Sequence, residues 1–139
     1  MANKKWKLEI LSEEGIKALH EEYKYLQTSK PFKGKESVLL AKIAKFLDWN
    51  RHVWNHCPNE SKNTDAGYIY LKKQGVKAGF PDVCIFDLQL VVELKTNYNK
   101  PTEPQILWLE KMRKLGWKAY WVNSFEEFHA LYTDTINSK

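Results

Sequence analysis

Apolar residues recur along this chain at two spacings, helical in the first third and strand-like in the middle. Ser12 followed by Glu13 and Glu14 predicts a helix start, because a serine hydroxyl caps free N–H groups and acids suit the positive end of the dipole. Ile16, Leu19, Tyr23 and Leu26 carry that helix on until Lys30-Pro31 stops it. A second helix is predicted from Lys35 to Asp48, with Leu39, Leu40, Ile43, Phe46 and Leu47 as its apolar stripe. Arg51 to His56 reads as a short strand ended by Pro58 and a polar loop. Thr64-Asp65 then marks a third N-cap, with Lys72 and Lys73 in the last turn and Gly75 just past the end. The alternation from Tyr68 to Leu71 leaves a strand open there instead.

Gly75 to Pro81 is punctuated as a loop by two glycines and a proline. Val83–Phe86 and Leu90–Lys95, separated by three residues, read as a β-hairpin. Thr102 with Gln105 forms a capping box at the head of a helix running through Leu109 and Met112 to Gly116. Trp117–Val122 is strand-like, and Ser124 with Glu127 is a second capping box opening a final short helix. The order implies an α/β or α+β sandwich, helices flanking a small mixed sheet. With 139 residues, no internal repeat and no linker, the chain reads as one domain. Its expected divisions are a helical extension over 1–34, a core over 35–132 and a polar tail over 133–139.

Composition narrows the classes. Apolar residues at 43% and charged residues at 28% exclude collagen-like and wholly disordered chains. No run approaches the ~20 apolar residues of a membrane span, and the first residues lack a secretory apolar region, so no membrane partner is expected. Two cysteines, Cys57 and Cys84, make no disulfide framework and fit a reducing cytoplasmic setting. A net charge of +5 favours a polyanionic partner such as nucleic acid.

The chemistry concentrates in Asp82 and Val92-Glu93-Leu94-Lys95. Side chains alternate along a strand, so Glu93 and Lys95 share a face that Val92 and Leu94 leave. Asp82 enters the paired strand, from which its carboxylate approaches Glu93. Two carboxylates that close repel unless a cation joins them, and Mg²⁺ or Mn²⁺ is the natural guest. A metal there, with Lys95 to orient a water or offset charge, permits phosphodiester hydrolysis. Each piece alone has a structural explanation, a solvated strand face or a Pro-Asp turn. Their conjunction in a basic chain favours the site.

The ordered set resembles the PD-(D/E)XK nuclease superfamily, and within it the virus-type replication-repair nuclease family (VRR-NUC). The resemblance is carried by residues 56–60, by Leu71 to Asp82, by Val92 to Lys95, and by Thr102 to Trp108 followed by Leu115 to Val122. It covers roughly residues 36–128 and implies a restriction-endonuclease-like core. It further implies Asp82, Glu93 and the Leu94 backbone carbonyl as metal ligands, Lys95 acting on the nucleophilic water, and Glu36 as a further acid from the first core helix. Gln105 would steady Lys95 or a site water. The minimal members implied by this size act on branched DNA such as four-way junctions, which needs two cuts and hence a C₂ homodimer, with no organic cofactor. A flap, nick or non-selective DNA nuclease, and an inactive nucleic-acid-binding module of the same fold, are the alternatives. A phage or bacterial source would place the protein in the (host) cytoplasm.

Several residues have two readings. Glu36 shares a helix face with Leu40, Ile43 and Leu47, yet a first-turn Glu also suits the helix dipole. The capping box alone explains Gln105. Lys72, Lys73 and Lys77 lead into the Pro-Asp loop as candidate DNA contacts, though lysines at a helix end also complement its dipole. His52, His56 and Cys57 lack a fourth zinc ligand and read better as a strand end and loop. Asn59 and Glu60 could touch substrate but read better as the turn after Pro58. Trp49, Trp54, Trp108, Trp117 and Trp121 could stack on bases but read better as core, with Trp108 facing the sheet; Cys84 reads as a small buried hydrophobe alternating with Phe86; and Gly79 as a tight approach to the strand.

Overall fold

The structure is a computed structural model that describes residues 12–58, 74–75 and 77–139. Its elements are α1 (Glu13–Tyr23), α2 (Glu36–Trp49), β1 (Trp54–His56), β2 (Val83–Ile85), β3 (Leu90–Leu94), α3 (Glu103–Lys114), β4 (Lys118–Val122) and α4 (Phe125–Asn137). A 3₁₀ turn, Phe86–Leu88, joins β2 to β3. The four strands lie in the order β1-β2-β3-β4, the first three antiparallel and β3 parallel to β4. A parallel pair needs a crossover, and α3 supplies it. The fold is mixed α/β, a four-stranded mixed sheet flanked by helices.

Alternation along the strands divides the interior in two. Val83, Ile85, Leu90, Val92, Leu94 and Val122 meet Leu39, Ile43 and Leu47 of α2 and Phe128, Leu131 and Tyr132 of α4. Cys84, Val91, Ala119 and Trp121 meet Tyr23 of α1 and Ile106, Leu109 and Met112 of α3. Every residue of β3 is buried. A central strand covered on both faces has no polar position to spare, which makes the single acid in it, Glu93, conspicuous.

The chain departs from the sequence expectations where tertiary partners compete with local pattern. α1 stops at Tyr23, short of Lys30, because Lys24 leaves the helix to bridge Trp121 beside β4. There its ammonium donates to both oxygens of Glu127 at 2.9 and 3.0 Å, with 6% and 0% of the two side chains exposed. Ser124 caps α4 by accepting from Glu127 N–H, but the Glu127 carboxylate accepts from Asn123 N–H at 2.8 Å and from Lys24 instead of reaching back to complete the box. α4 is also longer than expected. It continues through Asn137 with Thr135 buried, so residues 133–137 are helix and not tail.

The first strand is only three residues long. Arg51 takes a left-handed φ of 60° and His52 N–H still reaches back to Leu47 O, which uses up the residues before Trp54. Phe86 belongs to the 3₁₀ turn and is half exposed, so it does not alternate with Cys84, which is buried as expected. Trp121 is buried, but Trp49 is 86% exposed, and Trp54, Trp108 and Trp117 are half-buried. The segment expected as helix or strand between Thr64 and Gly75, and Asn59 and Glu60, lie outside the described residues, Gln74 and Gly75 apart. Among the described residues no helix is long and apolar enough to cross a membrane.

Candidate metal centre

The β2–β3 register places the site. Val83 pairs with Val92, so one step outward Asp82 stands opposite Glu93. The pairing is locked by side chain as well as backbone, because Asp82 Oδ2 accepts from Leu94 N–H at 2.8 Å. On the other side, the Asp82 carbonyl accepts from Cys57 N–H at 3.0 Å and from His56 Nδ1 at 2.8 Å. Asp82 is therefore held from both flanking strands and is 8% exposed.

Glu36 arrives from the opposite layer. It is the first residue of α2, whose N-cap, Lys35, contributes no side-chain hydrogen bond. Glu36, Asp82 and Glu93 each offer an oxygen, and these atoms all lie within 4.8 Å of one another. A hard divalent ion takes oxygens at about 2.0–2.6 Å, so small side-chain adjustments would bring such a set within reach of one ion. The positive end of α2 faces the same negative charge.

Glu93 supplies the test of fit. It is 1% exposed, and its Oε1 has no hydrogen-bond partner among the described residues. A buried acceptor with nothing to accept costs about 1–3 kcal/mol. Burial first, then the Asp82 charge, hold the Glu93 carboxyl well above the usual carboxylate range; Lys95 offsets this only in part. A proton shared with Asp82 or a cation between the two would relieve the repulsion. A hard divalent ion matches the all-oxygen donor set.

Lys95 Nζ lies 3.8 Å from Glu93 Oε2 and the side chain is 12% exposed, so the ammonium stands at the mouth of the cluster. The Leu94 carbonyl is fixed by its own peptide. Lys95 N–H donates to Val122 O on β4, and in a trans peptide the carbonyl points the other way, to the β2 side where Asp82 lies.

Gln105 stays out of this constellation. Its Oε1 accepts from Thr102 N–H at 2.8 Å, completing the capping box, and it makes no bond to Lys95. Lys77 is exposed beside the loop that leads to Asp82, whereas Lys72 and Lys73 lie outside the described residues. That loop seats on α3 and not on the strand: at Gly79, with φ +85°, an added Cβ would stand 2.6 Å from the Pro104 carbonyl carbon. Trp108 serves the same contact, its Nε1 donating to Ala78 O and its ring edge-on to Phe80, which explains why it does not face the sheet.

The histidines are engaged elsewhere. His52 bridges Asp87 at 2.9 Å and the Tyr132 hydroxyl at 2.6 Å, and His56 holds the Asp82 backbone, so among the described residues they form no zinc set with Cys57. Sequence reasoning missed Asn97, which ties the turn after Lys95 to the linker before α2 through two bonds with Gly34. Its only sequence signal is a turn-forming residue just past a strand end.

Comparison with protein-family models, with curated proteins and with solved structures gives no match for this chain.

Proposed function

We propose that this protein is a Mg²⁺- or Mn²⁺-dependent DNA endonuclease of the PD-(D/E)XK type, of the virus-type replication-repair kind, that hydrolyses phosphodiester bonds in branched DNA. The observation that carries this reading is the meeting of Glu36, Asp82 and Glu93, the last with one buried oxygen lacking a hydrogen-bond partner among the described residues, and with Lys95 beside it. The motif order along the sequence and the net charge of +5 support it.

Asp82, Glu93 and the Leu94 carbonyl would hold the ion, with Glu36 as a further acid. When bound, the metal polarises a phosphoryl oxygen and lowers the pKa of a coordinated water. The chain supplies the rest. A bond from β1 to the Asp82 carbonyl and one from β3 to its carboxylate hold that acid before substrate arrives, so little reorganisation of it accompanies the reaction. Lys95 places a positive charge where negative charge develops and orients the attacking water. Lys77, with Lys72 and Lys73, contacts the DNA backbone. Paired cuts across a junction need two such sites, and one chain carries one, so the working unit is a C₂ homodimer. Two free cysteines suit a cytoplasmic setting.

The test is cleavage of a fixed four-way junction and of linear duplex of the same sequence, with Mg²⁺, Mn²⁺ or chelator, on a denaturing gel. Metal-dependent cutting favouring the junction is expected, and Asp82→Ala abolishes it without unfolding the protein. Equal cutting of both substrates removes the branched preference. Tight binding without cutting identifies an inactive module of the same fold.

A further inference from the structure

The turn after β3 is fixed. Asn97 sits at φ 55°, a left-handed conformation that asparagine adopts more readily than most residues with a side chain. Its N–H donates to Phe32 O at 2.8 Å, its side-chain oxygen accepts from Gly34 N–H and its side-chain amide donates to Gly34 O. Phe32 N–H donates in turn to Asn123 O at 2.7 Å, just past the end of β4. Thr96 is buried, and Asn99 N–H closes the turn on Thr96 O.

This anchored turn presents Tyr98 with 79% of its surface exposed, three residues from Lys95. Lys33 and Lys35, on the linker that Asn97 grips, are exposed and form no ion pair with a described residue. A lone exposed aromatic is ordinary. An exposed ring on an anchored turn, three residues along the chain from Lys95 and tied to a linker carrying two exposed lysines, has what a base-stacking platform needs.

We infer that Tyr98 stacks on an unpaired base of the DNA cut at the neighbouring carboxylates, with Lys33 and Lys35 on the flanking phosphates. The inference rests on the endonuclease reading and extends it, because it names the feature of the substrate that is recognised. Every base offers a π-face, so the contact is indifferent to sequence. A base within a continuous duplex has both faces covered, so only a branch, gap or free strand can use the platform. Selectivity for interrupted DNA then resides in one side chain.

The experiment uses full-length protein and fluorescence anisotropy with a labelled single-stranded oligonucleotide and the blunt duplex of the same sequence, both in chelator. Tyr98→Ala should weaken single-strand binding about 5-fold or more, and Tyr98→Phe should retain it. Duplex binding should stay within about 2-fold, since stacking supplies none of it. Lys33→Ala with Lys35→Ala should weaken both DNAs and lower the salt slope by about two charges. Wild-type affinity in Tyr98→Ala, or an equal loss on both DNAs, overturns the inference. Cleavage in Mg²⁺ is run alongside: a wild type that never cuts defeats the endonuclease reading, whereas cutting with an indifferent Tyr98 defeats the stacking alone.

Discussion

Replacing Glu93 by Gln should strengthen the metal-free fold while removing its response to metal. The wild-type carboxylate is buried against Asp82, and its Oε1 has no donor among the described residues. Gln keeps the shape and gives Asp82 a donor at every pH, whereas the wild-type carboxyl donates only while it keeps its proton. Once the pH is high enough for Glu93 to give up that proton, the gain is the cost of an unsatisfied buried acceptor, about 2 kcal/mol. For a chain of this size that corresponds to a midpoint rise of roughly 6–10 °C.

The pH dependence carries the sign. Glu93 has a folded pKa well above the ordinary 4.5, raised by burial and then by Asp82. The folded state therefore holds a proton that the unfolded state has released. Stability is full below the ordinary value and falls as pH rises through the interval up to the folded pKa, because there the native chain binds more protons. Glu93→Gln should lose that slope. Thermal melts followed by circular dichroism from pH 4 to pH 9, in chelator and in Mn²⁺, read both effects. Wild type at a Mn²⁺ concentration about 100 times its Kd should gain roughly 2.7 kcal/mol and the variant far less. A variant less stable than wild type in chelator at neutral pH, or equally stabilised by Mn²⁺, refutes the account of Glu93.

Lys24→Met strands the buried Glu127 carboxylate and should cost about 3–5 kcal/mol by denaturant melts; Lys24→Met with Glu127→Gln should recover part of it, and a loss under about 1 kcal/mol would show the pair to be dispensable. Gly79→Ala forces a Cβ into the first turn of α3 at a positive φ, so a loss of about 2 kcal/mol or more is expected in the same melts, with weakened metal binding because the loop leads to Asp82. Lys95→Ala should lower kcat by about 100-fold or more with little change in DNA affinity, measured by single-turnover cleavage beside anisotropy; a defect confined to binding would assign Lys95 to substrate capture.

What was legible in the sequence is what depends on near neighbours. The capping box at Thr102 and the helix stripe of Leu39, Ile43 and Leu47 are local, and both stand in the structure as the pattern implies. The facing of Asp82 and Glu93 was legible because a hairpin of three connecting residues admits few registers. The end of α1 was not. Nothing near Lys24 announces Glu127, 103 residues away, and that partner outweighs the helical spacing of Leu26. The tryptophans failed for the same reason. Trp49 has the composition of a core residue, but it is the last residue of α2, beyond the reach of the sheet. Gln105 met a local rule and a family expectation at once, and the bonds it makes are those of the local rule.

Strand β3 explains why the candidate site lies where it does. Along it, Leu90, Val92 and Leu94 fill one half of the interior and Val91 the other, so Glu93 occupies a position that packing alone would give to an apolar residue. The convergence of Asp82 and Glu36 on it, at the end of a central strand, adds repulsion that Lys95 offsets only in part. The cluster strains the fold at the point where two long-range ties hold it. Asn97 binds the turn after Lys95 to the linker before Glu36, and His56 with Cys57 N–H grips the Asp82 carbonyl. Each tie restrains an element that carries one of the acids, and neither touches a carboxylate. Loosening either one should therefore raise the metal concentration needed for half-saturation and leave the ligands themselves unchanged.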